Sequence, residues 1–83
     1  MPLTDEKEAQ ILEDFLTIFY DKYGAEWRNH LSTNLRPSPI RQIAEQRGVT
    51  VSDVRKVRTK LLRIGLLFEA LQSSYEIYPY SQS

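Results

Sequence analysis

The chain has 83 residues, 41% apolar and 27% charged, with eleven basic and eleven acidic side chains and no formal net charge. That composition suits one soluble domain with a modest core. With no cysteine and a single histidine, His30, it excludes a disulfide framework and a Cys/His metal site.

The remaining bounds are also simple. No apolar run approaches the roughly 20 residues needed to cross a bilayer, so no membrane partner is expected. The start of the chain lacks a basic segment followed by an apolar run, so no signal peptide is expected. The expected location is the cytoplasm, or the nucleoid in a prokaryote. The zero net charge hides an uneven distribution. Residues 1–27 hold seven acids and two lysines, residues 28–65 nine bases and two acids, and residues 66–83 two acids. A central positive patch steers anions even on a neutral molecule.

In chain order, residues 4–31 read as an N-terminal helical segment. Thr4 suits an N-cap, with Asp5 and Glu6 in the first turn matching the helix dipole. The helix is expected from about Asp5 to Tyr23, with Gly24 ending it. Its apolar residues span a wide arc. Leu12, Leu16, Phe19 and Tyr23 can face the core, and Ile11, Phe15 and Ile18 lie on an adjoining face. A helix apolar over so wide an arc is covered twice, by its own domain or by a second subunit. We expect a homodimer through Ile11, Phe15 and Ile18; the alternative is that the next segment covers them. That segment, Ala25 to Leu31, fits one or two helical turns, with Trp27 plugging the core and His30 a packing or surface residue. Ser32 to Ser38 reads as a connector, because Pro37 and Pro39 disfavour continuous helix. Arg36 there is a solvated loop arginine or a phosphate contact.

Residues 38–64 read as two short helices around a tight turn. Ser38 suits an N-cap and Pro39 the first helical position. Ile40, Ile43 and Ala44 make a short apolar stripe, and Gly48 closes the helix. After three bridging residues, Thr50 caps a second helix and Asp53 sits in its first turn. Val54, Val57, Leu61 and Ile64 recur at steps of three, four and three, a buried stripe. Gly65 suits a helix stop. The other side carries Ser52, Arg55, Lys56, Thr59, Lys60 and Arg63. A basic face on an amphipathic helix is usually only a solvated face, but the helix and glycine turn before it make the helix-turn-helix pattern. Such a helix fits the major groove of B-DNA, with Arg and Lys reaching phosphates or guanine edges.

Residues 66–80 read as a β-hairpin. Leu66 to Leu71 and Tyr75 to Tyr80 are rich in apolar and aromatic residues, with a polar turn at Gln72-Ser73-Ser74. The expected fold is therefore mainly α with a small two-stranded hairpin, in one domain over residues 1–83. With only Glu69 and Glu76 as charges, the hairpin suits packing better than phosphate contact, and Tyr75, Tyr78 and Tyr80 suit covering the core or a partner.

The stretch Ile40 to Leu67, with I-x-x-I-A-E-x-x-G-V-T and then I-G-L-L, resembles the core of winged helix-turn-helix transcription regulators, including the multiple-antibiotic-resistance-regulator type. The likeness covers about a third of the chain. It implies that Ser52, Arg55, Lys56 and Thr59 contact DNA, that Val54, Leu61 and Ile64 pack the core, and that terminal helices dimerise. Arg58 departs from the pattern, standing where an apolar residue is common; it snorkels or reaches a phosphate.

No phosphate-binding glycine loop, nucleophile elbow or paired metal-ligand motif occurs, so no enzyme, metal or cofactor is expected. The expected function is double-stranded DNA binding by a small transcriptional regulator. Ser52, Arg55, Lys56 and Thr59 would lie in the groove, and Arg41, Arg47, Arg58, Lys60 and Arg63 on phosphates, with any turned from the groove dropping out. The alternative is a protein-interaction module, or a replication or packaging accessory, without base readout.

Overall fold

The computed structural model describes residues 3–77, with side chains through residue 73. Helix α1 runs Asp5–Tyr23, a 3-10 segment follows over Gly24–His30, α2 runs Ile40–Arg47 and α3 runs Val51–Ile77. The expected start and end of α1 hold. The amide of Lys7 donates to the Thr4 hydroxyl at 3.1 Å, and Gly24 closes the helix at φ 63°. Gly48 closes α2 in the left-handed region, at φ 66°. Thr50 caps α3, its hydroxyl accepting from the Asp53 amide at 3.0 Å. At α2 the expected cap differs. Pro39, not Ser38, occupies the N-cap position, without a side-chain bond, and its carbonyl accepts from the Ile43 amide at 3.0 Å.

The core is Ile11, Phe15 and Phe19 of α1, Leu31 and Leu35 of the connecting loop, Ile43 and Ala44 of α2, and Val54, Val57 and Leu61 of α3. This corrects the expected use of α1. Ile11 and Phe15 are fully buried in the chain's own core, and Ile18 is half-buried against it. Ile11 and Phe15 are not free for a second subunit. The wide apolar arc arises because the 3-10 segment, α2 and α3 all pack on α1, so the chain covers both faces itself. Leu12, Leu16 and Tyr23, expected at the centre, lie at the margin. Trp27 is also marginal, with the Arg28 guanidinium 4.6 Å from its ring centroid. His30 stacks on Tyr23 with ring centroids 3.8 Å apart.

The larger correction concerns the hairpin. Residues 66–77 continue α3, and there is no strand among the described residues. The fold described is a small helical one without a wing. Tyr75 lies on the helix, while Tyr78 and Tyr80 lie outside the described residues. The physical reason is the role of Gly65. It does not end the helix; it lies inside it, where a Cβ would come within 2.8 Å of the Leu31 Cβ and 2.9 Å of the Ser32 amide nitrogen. The glycine lets two backbones touch. Beyond it, Leu, Glu, Ala and Gln are good helix formers. Ser32 Oγ donates to Glu69 Oε1 at 2.5 Å and Gln72 Nε2 to Asn29 Oδ1 at 3.3 Å, tying this part of α3 down. The buried stripe thus steps from Leu61 to Gly65, not to Ile64, which is 51% exposed.

These contacts set a stability prediction. Alanine favours a helix interior over glycine by about 1 kcal/mol, whereas overpacking a close contact costs about 1–3 kcal/mol. Gly65→Ala is expected to lower the urea-unfolding free energy, and Gly65→Val to lower it further. A gain of stability in Gly65→Ala would contradict the close approach.

Candidate nucleic-acid interface

The turn between α2 and α3 is fixed by its glycine and by α1. The Val49 amide donates to the Ala44 carbonyl at 3.0 Å, and Val49 packs against the core. On α1, Lys7 Nζ donates to the Arg47 carbonyl at 2.8 Å, satisfying a carbonyl at the end of α2. Arg47 reaches back to Asp14 with two parallel bonds, Nε to Oδ2 at 2.8 Å and a terminal nitrogen to Oδ1 at 2.7 Å. This fork geometry suits Arg and carboxylate, and the hydrogen bond to Asp14 is the main reason the Arg47 pKa is raised. Arg47 is thus engaged with α1, which removes it from a free phosphate set.

Arg58 is also reassigned. Its guanidinium donates to the Leu31 carbonyl at 2.8 Å and to the Thr33 carbonyl at 2.9 Å, and lies 5.3 Å from the centre of the Phe19 ring. Burial lowers its pKa from the ordinary value. Its stem lies against the core beside Phe19 while its head holds the loop. As placed, it is a clamp and not a free DNA contact.

The rest of the expected set stays outward. Ser52, Arg55, Lys56, Thr59, Lys60 and Arg63 on α3 are exposed, as is Arg41 on α2. Lys60 forms an ion pair with Glu8 of α1. The Thr59 hydroxyl donates to the Arg55 carbonyl at 3.0 Å. Arg41, Arg55, Lys56 and Arg63 make no ion pair among the described residues. Arg41 and Arg55 flank an open groove between the starts of α2 and α3, also lined by Ser38, Ile40 and Val51. Two helices, a tight turn and four cations without ion pairs among the described residues make an open, positively charged surface. No cluster of metal-binding side chains occurs among the described residues, and no described helix is long and apolar enough to cross a membrane.

Of the two expectations for Arg58 the structure selects snorkelling; its loop partners, Leu31 and Thr33, were not foreseen, nor was the buried Leu35 in the loop, which is 7% exposed. The line of exposed apolar residues beyond Arg63 was not foreseen either. A lone Leu between Asn34 and Arg36 is a readable signal for the loop plug, and Arg58, four residues after Val54 and three before Leu61, falls on the buried side of the helix period.

No known protein family matches the chain, and neither a curated protein nor a solved structure is similar to it.

The sorting of arginines yields a paired test. Arg58→Ala should cost about 1–3 kcal/mol in chemical denaturation, the range for losing hydrogen bonds from a charged group. Arg55→Ala, on an exposed surface, should stay within about 0.5 kcal/mol of the parent. Equal effects would contradict the division into clamp and surface.

Proposed function

We propose that the protein binds double-stranded DNA, with the N-terminal half of α3 entering the major groove, and that it acts as a small transcriptional regulator. The observation that carries the reading is the run of exposed, unpaired cations on α3 and α2 beside a capped helix start. Arg55, Lys56, Ser52 and Thr59 occupy the first two turns or so of the helix, where side chains of a groove-bound helix meet base edges. Arg41 and Arg63 lie at the two ends of the face and suit phosphates. Arg58 contributes by holding the loop, and Lys60 reaches a phosphate only by leaving Glu8.

The apolar line on the second half of α3 gives the protein-interaction alternative its own support. The two readings separate in one experiment, fluorescence anisotropy of a mixed-sequence duplex across a salt series. About 0.9 counterions are released per phosphate contact, so four free cations predict a log–log slope of roughly −3 to −4 per protomer. Arg55→Ala or Lys56→Ala should weaken a selected site by about 1–3 kcal/mol if it reads a base. Failure of the folded protein to bind at low salt would overturn the DNA reading and favour the protein-interaction one.

A further inference from the structure

The groove between the starts of α2 and α3 holds a serine beside its two arginines. It is lined by Ser38, Ile40, Arg41, Val51 and Arg55, so two guanidinium groups enter it from two helices and no acid lies among them. Asp53, the acid in the first turn of α3, lines a different groove, against Lys7 of α1. Arg41 and Arg55 form no ion pair among the described residues. Two like charges lining one groove repel each other, and an anion between them removes that cost. Ser38 is exposed and lies outside any helix. It does not cap α2: Pro39 takes that position, and no side chain bonds to the first turn. The residue before a proline is steered to extended backbone, the form in which clefts take up peptide segments.

We infer that Ser38 is a phosphorylation site, and that its phosphate folds onto Arg41 and Arg55 and lowers the affinity of the basic face for DNA. The phosphoryl donor is a nucleoside triphosphate and the catalyst a serine kinase. The bond from Ser38 Oγ to phosphorus forms as the bond from the γ-phosphorus to its bridging oxygen breaks. The nucleoside diphosphate leaves with that electron pair, and the hydroxyl proton passes to a base of the kinase. The site rests on the groove; only its consequence rests on the DNA-binding reading.

Hydroxyls elsewhere are differently placed. Ser32 donates to Glu69, so a phosphate there meets a carboxylate. Thr4 and Thr50 accept from helix amides, and Thr59 donates to the Arg55 carbonyl within α3. Thr17 and Ser52 lie inside helices. Thr33 is next to Arg58, which is already committed to two carbonyls. At Ser38 the phosphate brings about −1.5 to −2 charges and three acceptor oxygens, enough to engage both guanidinium groups through paired bonds. Of the cations available to DNA, Arg41 is then withdrawn from a phosphate and Arg55 from a base edge. Each lost phosphate contact removes about 0.9 from the salt slope, so the slope flattens by roughly 1 to 2 and affinity at about 0.1 M salt drops roughly tenfold or more.

Incubating the chain with magnesium ATP and a proline-directed serine kinase tests the acceptor, with mass spectrometry to place the phosphate. Incorporation is expected at Ser38 and is lost in Ser38→Ala. No incorporation, or incorporation only at other residues, would overturn the site. Phosphorus NMR of the chain phosphorylated at Ser38 reads the fold-back without DNA. The second pKa of a phosphoserine, ordinarily about 6, is expected to drop to about 5.5 or lower beside two guanidinium groups. It should return to the ordinary value in Arg41→Ala/Arg55→Ala, with circular dichroism checking that the helices persist. An ordinary pKa that ignores both substitutions would overturn the contact with the arginines. Anisotropy of a mixed-sequence duplex then compares the two forms. Weaker binding with a flatter salt dependence after phosphorylation supports the loss of DNA affinity, and equal binding would overturn it. If neither form binds duplex while the phosphate pKa stays low, the site on Arg41 and Arg55 stands and the DNA reading falls.

Discussion

The contact of α3 with residues 31–33 governs the arrangement. Gly65 brings the helix backbone against Leu31 and Ser32, and Arg58, nearly two turns earlier, donates to the carbonyls of Leu31 and Thr33. Helix and loop thus meet at two levels. The loop carbonyls, which water or secondary structure would otherwise satisfy, receive charge-assisted donors. The glycine gives up helix propensity in exchange for closeness. With that seat occupied, α3 has no reason to stop at residue 65, and the chain beyond it extends the helix instead of folding back as strands.

The same seat sorts the charges. Nine basic residues between 28 and 65 look equivalent as a composition. In the fold, Arg47 is spent on Asp14, Lys60 on Glu8, Arg58 on the loop and Arg28 on the Trp27 ring. Two of the acids of α1, Asp14 and Glu8, hold the helix-turn-helix unit to α1. Of the five that remain, Arg36 lies in the loop before α2, and Arg41, Arg55, Lys56 and Arg63 are exposed on α2 and α3. Exposed ion pairs contribute little individually, so their main consequence here is which cations remain available to an external anion.

Much of this was legible in the chain. Thr4, Gly24, Gly48 and Thr50 mark helix ends by local backbone and capping chemistry, which needs no tertiary context, and all four act as expected. The outward basic face of α3 follows from its 3.6-residue period. The failures share a cause. Gly65 has two physical uses, as a left-handed stop and as a close-packing position, and only the neighbour in space, Leu31, decides between them. As a stop, Gly65 leaves Leu66 to Tyr80 to form another element, and their aromatic enrichment suggests strands. The spacing of Ile64, Leu67 and Leu71 carried the correct signal, because it is helical and does not alternate. On α1, periodicity revealed a wide apolar arc but not which side the 3-10 segment and α2 would cover. That depends on the length and path of the loop through Leu35.

The central claim is that the outward side of the first half of α3, with Arg41, is the surface that meets DNA. Titrating a short duplex into isotopically labelled protein and following amide and arginine side-chain resonances tests it residue by residue. The account predicts that shifts concentrate at Arg41 and from Ser52 to Arg63, with the Arg58 guanidinium signal nearly unmoved because it stays on Leu31 and Thr33. Shifts centred on α1 or on the 3-10 segment, with α3 silent, would contradict it.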